Sequence, residues 1–349
     1  MFENSIKNIG KQIQGKTILD HAMGAAARTP DSIFRKTTYA RDEAPPAMNR
    51  IFRLRDPEPY AMTRVIKDMA IWSGADQVGV ARLNPLWLYT NWGLHNIMYT
   101  NAAEAGDPIE IPAEYTNVIV MIHEMDYDLI KRSPYREAAS PMGYSRMAWC
   151  ASILASFIRE LGYKAIPCGN ELGLSIPMAV DAGLGEMGPN GLLITRDFGP
   201  RVRISKVLTE LPLVPDSPID MGVQEFCEKC KLCAKYCPSR ALMSGERTDQ
   251  AWDQCNSPGM LKWPIRAMRC FEWWVKNGNG CSVCIRVCPW NKPNNSLHKI
   301  VRIFAERNLL IRLIVKLDQL LGFGRQSKRP LFAAMKNIPP VEKLPSSGT

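Results

Sequence analysis

Hydrophobic and polar positions recur with regular periods mainly in the middle of the chain. Residues 61–73 carry apolar side chains at helical spacing, and the β-branched run NVIVM at 117–121 predicts a short buried strand. The clearest helix is predicted over 145–161, where Ser145 can cap the first turn and Gly162 ends the last. Its apolar stripe consists of Met147, Ala151, Leu154, Ile158 and Leu161.

The flanking regions have weaker patterns. Residues 1–60 are polar, basic and rich in Pro and Gly, which predicts an extended arm wrapped around a core. Short strands are expected at 163–167 and 192–195, and three prolines within 211–220 predict an extended linker. Residues 300–321 read as one basic amphipathic helix, a type that can lie on a membrane but that we expect to pack on its own protein.

These patterns divide the chain into four parts. The predicted units are an N-terminal arm (1–60), a catalytic core (61–215), a cysteine-rich domain (216–295) and a C-terminal helix with a tail that packs on the core (296–349). The 349 residues are 46% hydrophobic and 22% charged, proportions that exclude wholesale disorder. The net charge of +10 favours acidic partners without choosing among them.

Nine of the eleven cysteines fall between positions 227 and 288. An odd number in one dense group argues against the disulfide framework of a secreted protein. Residues 1–14 contain no apolar run of a secretory signal, no Arg-Arg pair occurs, and charges interrupt the apolar stretch 309–323. We therefore expect a cytoplasmic protein without a membrane span, with an exported mature form as the alternative.

The cysteines form two similar motifs. The first is Cys227-x2-Cys230-x2-Cys233-x3-Cys237-Pro and the second is Cys270-x10-Cys281-x2-Cys284-x3-Cys288-Pro. The first matches the bacterial ferredoxin run, in which the fourth cysteine ligates the other [4Fe–4S] cluster. The expected ligand sets are Cys227, Cys230, Cys233 and Cys288 for cluster 1, and Cys237, Cys270, Cys281 and Cys284 for cluster 2. Zinc is the alternative, but zinc sites do not use this paired Cys-Pro pattern.

The other three cysteines, Cys150, Cys168 and Cys255, are expected to have no ligand role. More than 200 residues lie outside the cysteine-rich segment, so a second redox centre or a reducible substrate is expected there. Residues 183–188 fit G-x-G-x-x-G, but Pro-Asn-Gly follows and no helix can begin there. The stretch is therefore not predicted to bind a dinucleotide; its glycines indicate close backbone approach to something flat or bulky.

The second motif, with its context Cys270-Phe-Glu-Trp-Trp and Cys281-Ser-Val-Cys-Ile-Arg-Val-Cys-Pro-Trp-Asn-Lys292, resembles the corrinoid-dependent reductive dehalogenases. The stretches 143–147, 161–170, 175–186, 191–203 and 209–213 are similar to the cobamide-binding core of that family. A sister family, the epoxyqueuosine reductases, shares both parts but carries an Asp where this chain has Tyr144. The neighbours of Tyr144, Gly143 and Ser145, and the ten residues between Cys270 and Cys281 favour the dehalogenases.

The resemblance implies an α+β fold: a cobalamin-binding core related to the flavin nitroreductase fold, plus a bacterial two-[4Fe-4S] ferredoxin-like module. It implies a corrinoid bound base-off with no protein ligand to cobalt, and electrons that pass from the distal to the proximal cluster and then to cobalt, giving Co(I). The residues expected to contact the corrinoid are Ser175, Pro177, Gly183, Leu184, Gly185, Glu186, Gly188 and Gly191.

By the same resemblance, Tyr144, Asn170 and Arg203 are the catalytic residues of an enzyme that cleaves the carbon–halogen bond of a small organohalide. Tyr144 would donate the proton, and the Arg203 guanidinium would stabilise the phenolate of a side chain whose ordinary pKa is ~10. An external low-potential donor, a ferredoxin, flavodoxin or reductase, is implied, no nucleic-acid partner is expected, and the oligomeric state is left open. The alternatives are a related cobalamin reductase such as a tRNA-modifying epoxyqueuosine-type enzyme, and a non-catalytic ferredoxin-type electron carrier.

Overall fold

The structure, a computed structural model, describes residues 18–40, 53–93, 104–134, 138–293 and 295–328. The helices of the first two thirds of the chain are α1 (Ile18–Ala26), α2 (Thr29–Thr37), α3 (Pro59–Trp72), α4 (Tyr127–Lys131), α5 (Ala139–Glu160) and α6 (Ser175–Asp181). The strands are β1 (Gln77–Arg82), β2 (Asn117–Glu124), β3 (Ala165–Cys168), β4 (Glu186–Met187), β5 (Leu193–Ile194) and β6 (Val202–Thr209). The remaining helices are α7 (Val223–Cys230), α8 (Leu232–Lys235), α9 (Ala267–Asn277), α10 (Val283–Arg286), α11 (Ser296–Glu306) and α12 (Ile311–Leu321).

A four-stranded antiparallel sheet in the order β1-β2-β6-β3 forms the centre of the molecule. Both of its faces are covered, and successive residues of β2 therefore enter different cores. Ile119 and Met121 pack with α3 and α5, whereas Val118, Val120 and Ile122 pack with α6 and the loops on the other side. This mixed α and β arrangement agrees with the coarse fold class, and the relationship to flavin nitroreductases stays a prediction.

Most of the predicted central elements are confirmed within a few residues. The helix predicted at 61–73 is α3, the strand at 117–121 lies within β2, and residues 211–220 form no helix or strand. The strands predicted at 163–167 and 192–195 are shorter, and appear as β3 and β5.

One predicted helix begins earlier than expected. The long helix α5 begins at Ala139 and not at Ser145, because a proline in its first turn is tolerated and Gly143 does not interrupt it. The Ser145 hydroxyl donates to the Ala27 carbonyl oxygen at 2.5 Å and accepts the Asp31 backbone N–H, in the first turn of α2, at 3.2 Å. It therefore joins α5 to the N-terminal segment and does not cap α5.

The described part of the predicted extended arm, residues 18–40, is helical. Its helix α2 packs along α5. Tyr39 is fully buried, and the Thr38 hydroxyl lies 2.7 Å from that of Ser152 on α5. Weak local periodicity is overridden here by burial against a neighbouring helix, and residues 1–17 and 41–52 lie outside the described part.

The predicted C-terminal helix is two helices, α11 and α12. The chain turns between them at Asn308 and Leu310, which have φ values of 56° and 54°. Both helices contact α7 of the cysteine-rich segment, and Arg302 also donates to Asp197 of the core at 3.1 Å. No helix in the described part of the chain is long and apolar enough to cross a membrane. The four-part domain division stays a prediction.

Candidate functional site

A cavity of 880 Å³ opens beside the first residues of β6. Its walls come from α6, the β4–β5 hairpin, residues 200–204 and the segment 255–265, together with Trp87 and Tyr89. The volume lies toward the upper end of the ~300–1,000 Å³ typical of small-molecule sites. The lining is mainly apolar, with isolated polar side chains at the wall, so the cavity is suited to a large flat ligand.

Three predicted catalytic residues meet beside this cavity, and two of them line it, although they are far apart in sequence. The Asn170 side-chain amide donates to the Tyr144 hydroxyl at 3.3 Å. The guanidinium carbon of Arg203 lies 4.6 Å from the centroid of the Tyr144 ring, a cation–π contact. Asn170 and Arg203 line the cavity, and Tyr144 lies in contact with both. The structure thus brings together the three residues that the resemblance implied.

Each of these residues stands on a different element. Tyr144 lies in the second turn of α5, not before a helix as predicted, so its backbone is fixed by the longest helix described. Arg203 lies on β6 opposite His123 of β2 and also donates to the Ser140 hydroxyl. The Nε of Arg203 is buried and has no hydrogen-bond partner among the described residues, so a donor remains available.

Gly143 is required for the approach of Arg203 to α5. A Cβ at Gly143 would lie 2.8 Å from Cγ of Arg203 and 3.5 Å from Cγ of Met125. The first distance is shorter than real Cβ contacts, and Cγ is too close to the strand backbone to move freely. A glycine directly before Tyr144 therefore sets the distance between the guanidinium and the phenol.

Lys206, which the sequence analysis missed, holds the loop that carries Asn170. Its ammonium group is fully buried and donates to the carbonyl oxygens of Gly169 and Gly173 and to the Ser175 hydroxyl. Burial lowers the pKa of Lys206 below its usual value. A single lysine in the otherwise buried strand VRISKVLT was the signal that could have found it.

Half of the residues predicted to contact a corrinoid line the cavity, namely Ser175, Pro177, Glu186 and Gly191. Glu186 has a second task, since its carboxylate accepts the backbone N–H groups of Met221 and Val223 at 2.6 and 3.2 Å, at the start of α7. Burial raises the pKa of Glu186, and these two hydrogen bonds partly offset the increase.

The other four, Gly183, Leu184, Gly185 and Gly188, do not line the cavity. A Cβ at Gly183 would lie 2.5 Å from the Ser217 carbonyl oxygen, and one at Gly185 would lie 2.3 Å from that of Ile194. Both residues also have positive φ values. Gly183 and Gly185 therefore approach the protein's own backbone closely, and the corrinoid contacts of these four residues stay predictions.

The cysteine motifs have the same local conformation. In each, one Cys-x2-Cys pair, Cys230 with Cys233 or Cys281 with Cys284, begins with a left-handed residue after its first cysteine. These residues are Lys231 with φ 51° and Ser282 with φ 57°. A four-residue helix follows in both cases, and these helices, α8 and α10, contact each other. The two motifs are thus a structural repeat as well as a sequence repeat.

Four thiols surround one small cavity. Cys227, Cys230, Cys233 and Cys288 line it, together with Phe226 and Trp290, whose rings meet edge to face at 5.6 Å. Burial raises the pKa of Cys230 to about 12 and that of Cys233 to about 11. Buried thiols of this kind become thiolates when bound metal supplies compensating positive charge.

The remaining four motif cysteines form a second group. Cys284 is half-buried, and burial together with the neighbouring Cys281, Cys233, Cys270 and Cys237 raises its pKa well above the usual value. In the described part of the chain, no three His, Cys, Asp or Glu side chains are grouped so that they could hold a single metal ion. Thiols spaced around a volume fit a cubane better than a zinc ion, whose four ligands meet at one point.

The cysteines outside the motifs have separate environments. Cys150 is confirmed as a core residue, and its thiol lies 3.1 Å from the Ser73 carbonyl oxygen. Cys168 is buried in β3, where burial raises its pKa to about 11. Cys255 is exposed and lies at the wall of the large cavity.

The β4–β5 hairpin separates the large cavity from the first thiol group. Met187, Gly191 and Leu193 line the large cavity, while Asn190 and Ile194 line the small one beside the four thiols. A single layer of polypeptide therefore lies between the two. No sequence pattern predicted that the two cavities share this wall, because the wall depends on the position of the short β4–β5 hairpin.

Comparison with known proteins agrees with these features. Residues 226–291 match the family of 4Fe-4S double cluster binding domains. The chain is 38% identical over 289 residues to tetrachloroethene reductive dehalogenase of Sulfurospirillum multivorans, which covers 76% of this chain and 58% of that protein. It is also 38% identical over 297 residues to the enzyme of the same name from Dehalobacter restrictus, covering 75% and 54% of the two chains.

The fold is shared with a solved reductive dehalogenase described with a mechanism for B12-dependent dehalogenation, at a TM-score of 0.72 and 24% identity. That match covers 90% of this chain and 43% of the other. The chain thus spans between half and three fifths of the length of these two curated relatives. The resemblance predicted from the sequence motifs is confirmed: the chain is a relative of the reductive dehalogenases and contains a 4Fe-4S double cluster binding domain at residues 226–291.

Proposed function

We propose that the chain is a corrinoid- and iron–sulfur-dependent reductive dehalogenase that acts on a small organohalide. The observation that carries this proposal is the contact of Tyr144 with Asn170 and Arg203, both of which line the 880 Å³ cavity. A proton donor, an amide and a cation are thereby placed beside a space that is large enough for a cofactor and a small substrate.

The two thiol groups are the proposed ligands of two [4Fe–4S] clusters. Cys227, Cys230, Cys233 and Cys288 would hold the proximal cluster, because their cavity adjoins the hairpin that walls the large cavity. Cys237, Cys270, Cys281 and Cys284 would hold the distal cluster. An external low-potential donor would supply electrons to the distal side.

The large cavity is the proposed corrinoid site. Its apolar lining suits the faces of a macrocycle, and Ser175, Gln224, Asn256 and Lys262 at its walls suit the amide groups at the edge of one. When bound base-off, the corrinoid would supply a strongly reducing cobalt centre. Ser175 is additionally fixed by Lys206, so this part of the wall is rigid.

The reaction replaces halogen by hydrogen: the carbon–halogen bond breaks, halide leaves, and carbon receives two electrons and one proton. Tyr144 is the proposed proton donor. The positive charge of Arg203 over its ring stabilises the phenolate that remains, and the Asn170 amide donates to the same oxygen. A positioned acid of this kind typically contributes ~10²–10⁴-fold to a rate.

The test is metal content followed by halide release. Protein produced anaerobically with cobalamin, iron and sulfide is expected to contain about one cobalt and about eight irons per chain. It is then expected to release halide from members of an organohalide panel when a low-potential reductant is present. Eight irons without cobalt, or full cofactor loading without halide release from any compound, would contradict the proposal.

A further inference from the structure

The helices α11 and α12 each turn one face inward to the cysteine-rich domain. On α12 the inward face contains Ile311 and Asp318, and Asp318 forms a buried ion pair with Lys292. On α11 it contains Ala305 and Arg302, whose guanidinium is paired with Asp197. These contacts fix which side of each helix remains outside.

The outward side is apolar along both helices and the turn between them. On α12 the exposed positions follow helical spacing, and Leu317 is 44% and Leu320 74% exposed. Leu310 in the turn is 61% exposed. The full set of large exposed hydrophobic residues is Ile300, Ile303, Phe304, Leu309, Leu310, Leu313, Leu317, Leu320 and Leu321. Nine such residues within 22 positions far exceed the isolated apolar side chains of an ordinary protein surface.

The exposed charged residues of the segment 295–328 all have one sign. They are Lys299, Arg307, Arg312, Lys316, Arg325 and Lys328. The segment 295–328 contains only two acidic residues, of which Asp318 is buried and Glu306 is paired with Arg196 at 2.9 Å. On α12, Arg312 and Lys316 directly precede Leu313 and Leu317, so a basic row borders the apolar row.

We propose that α11 and α12 form a surface that lies on an anionic lipid membrane, with the leucine-rich row among the acyl chains and the cations at the headgroups. Apolar side chains bordered by Lys and Arg, without acidic residues, are the combination that interfacial helices use. Each helix has 11 residues and is therefore ~17 Å long, which is too short to span the ~30 Å of bilayer hydrocarbon.

Charge argues against a second copy of the chain as the occupant of this face. A two-fold interface would place the same patch against itself, so that six cations would face six cations without compensating acids. An anionic headgroup layer instead supplies the missing negative charge. This surface is independent of the proposed reaction, since it lies outside the cavity and the thiol groups.

The experiment is co-sedimentation of the holoprotein with vesicles of phosphatidylcholine, with and without phosphatidylserine. Binding is expected only with phosphatidylserine and is expected to weaken as salt is raised. Arg312→Gln with Lys316→Gln should weaken binding about 5-fold per charge removed. Leu317→Glu with Leu320→Glu should weaken it at least ~10-fold. Iron content and melting temperature, measured alongside, report whether the variants fold.

Trp72→Glu provides the matched control, because Trp72 is 77% exposed at the end of α3 and belongs to a different surface. It should leave vesicle binding unchanged. Failure of the wild-type protein to bind phosphatidylserine vesicles would overturn the proposal, as would an equal loss in Trp72→Glu. Sedimentation of the wild-type chain as a dimer that Leu317→Glu with Leu320→Glu dissociates would assign the face to a second copy instead.

Discussion

The thiol groups and the Tyr144 group are built in opposite ways. Within each cysteine motif the spacing of the cysteines is set by short helices and one left-handed residue, and Cys288 of the second motif joins three cysteines of the first. Tyr144, Asn170 and Arg203 come instead from a long helix, a loop and a strand, and they meet only after the sheet has formed. The cluster-binding part is therefore built from two local motifs, whereas the proposed catalytic part depends on the whole core.

This difference predicts that substitutions in the cysteine motifs and in the core have different consequences. A lost cysteine should remove one cluster and leave the core folded, since each proposed cluster has four ligands of its own. A small displacement of one core element should leave the clusters intact and reduce only the chemistry. Variants in the two regions can be compared by iron content, stability and halide release.

The largest effect is expected for Cys284→Ser. Because Cys284 belongs to the distal set, iron should fall from about eight to about four per chain, and halide release driven by an external donor should be lost. Iron analysis with electron paramagnetic resonance checks both. Cys255→Ser is the matched control, as Cys255 is exposed and outside both groups, and it should retain all the iron. Loss of all iron in Cys284→Ser would show that the two clusters are not independent.

An intermediate effect is expected for Gly143→Ala. The added methyl would displace Arg203 from the Tyr144 ring, so we expect halide release to fall ~10-fold while iron and cobalt stay unchanged. Alanine also favours a helix over glycine by ~1 kcal/mol, so stability should not fall in proportion.

Gly245→Ala serves as the comparison for this variant, because the nearest atom to a Cβ at Gly245 is 3.8 Å away. It should change neither activity nor stability. Equal activity in Gly143→Ala and the wild type would show that the distance between Arg203 and Tyr144 is unimportant.

The smallest effect concerns His123, which lies opposite Arg203 in the sheet. Burial, with the nearby charge of Arg146, lowers the pKa of His123 from 6.5 to about 3. The unfolded chain therefore binds a proton that the native state does not, and stability present above pH 6.5 is lost progressively toward pH 3. At pH 5 the loss is ~2 kcal/mol.

The check is to compare thermal unfolding of the wild type and His123→Gln at pH 7 and pH 5. Glutamine can still bond to Ser205, the present partner of His123 at 2.8 Å, but it does not titrate. The wild type should lose more stability than the variant on acidification. The same loss in both proteins would mean that His123 is not responsible.

The sequence predicts the thiol groups and the residues of the core to different extents. Spacing alone predicted the cysteines that line the first thiol cavity, because three of them lie within seven residues and the repeat indicated the fourth. The glycines at 183 and 185 were predicted to contact a ligand, and in the structure they closely approach the carbonyl oxygens of Ser217 and Ile194. Nothing in the local pattern distinguishes the two kinds of close approach.

The start of α5 and the long-range contacts of the core could not be predicted from the local sequence pattern either. The beginning of α5 was predicted six residues late because Pro141 and Gly143 resemble helix breakers, although both are accommodated in this helix. The contacts of Lys206 with the loop at Gly169 and Gly173 join segments more than 30 residues apart. Only the register of β6 against β3 places them together.

The most direct test of the central claim is halide release by Tyr144→Phe, measured on protein with the same iron and cobalt content as the wild type. Tyr163→Phe is the matched control, since Tyr163 also carries an arginine over its ring, Arg53 at 4.7 Å, but packs in the core beside α3 and α5, where its hydroxyl donates to the Leu54 carbonyl oxygen. We expect a loss of ~100-fold or more in Tyr144→Phe and near-normal release in Tyr163→Phe. Near-full turnover by Tyr144→Phe would contradict the assignment of Tyr144 as the proton donor.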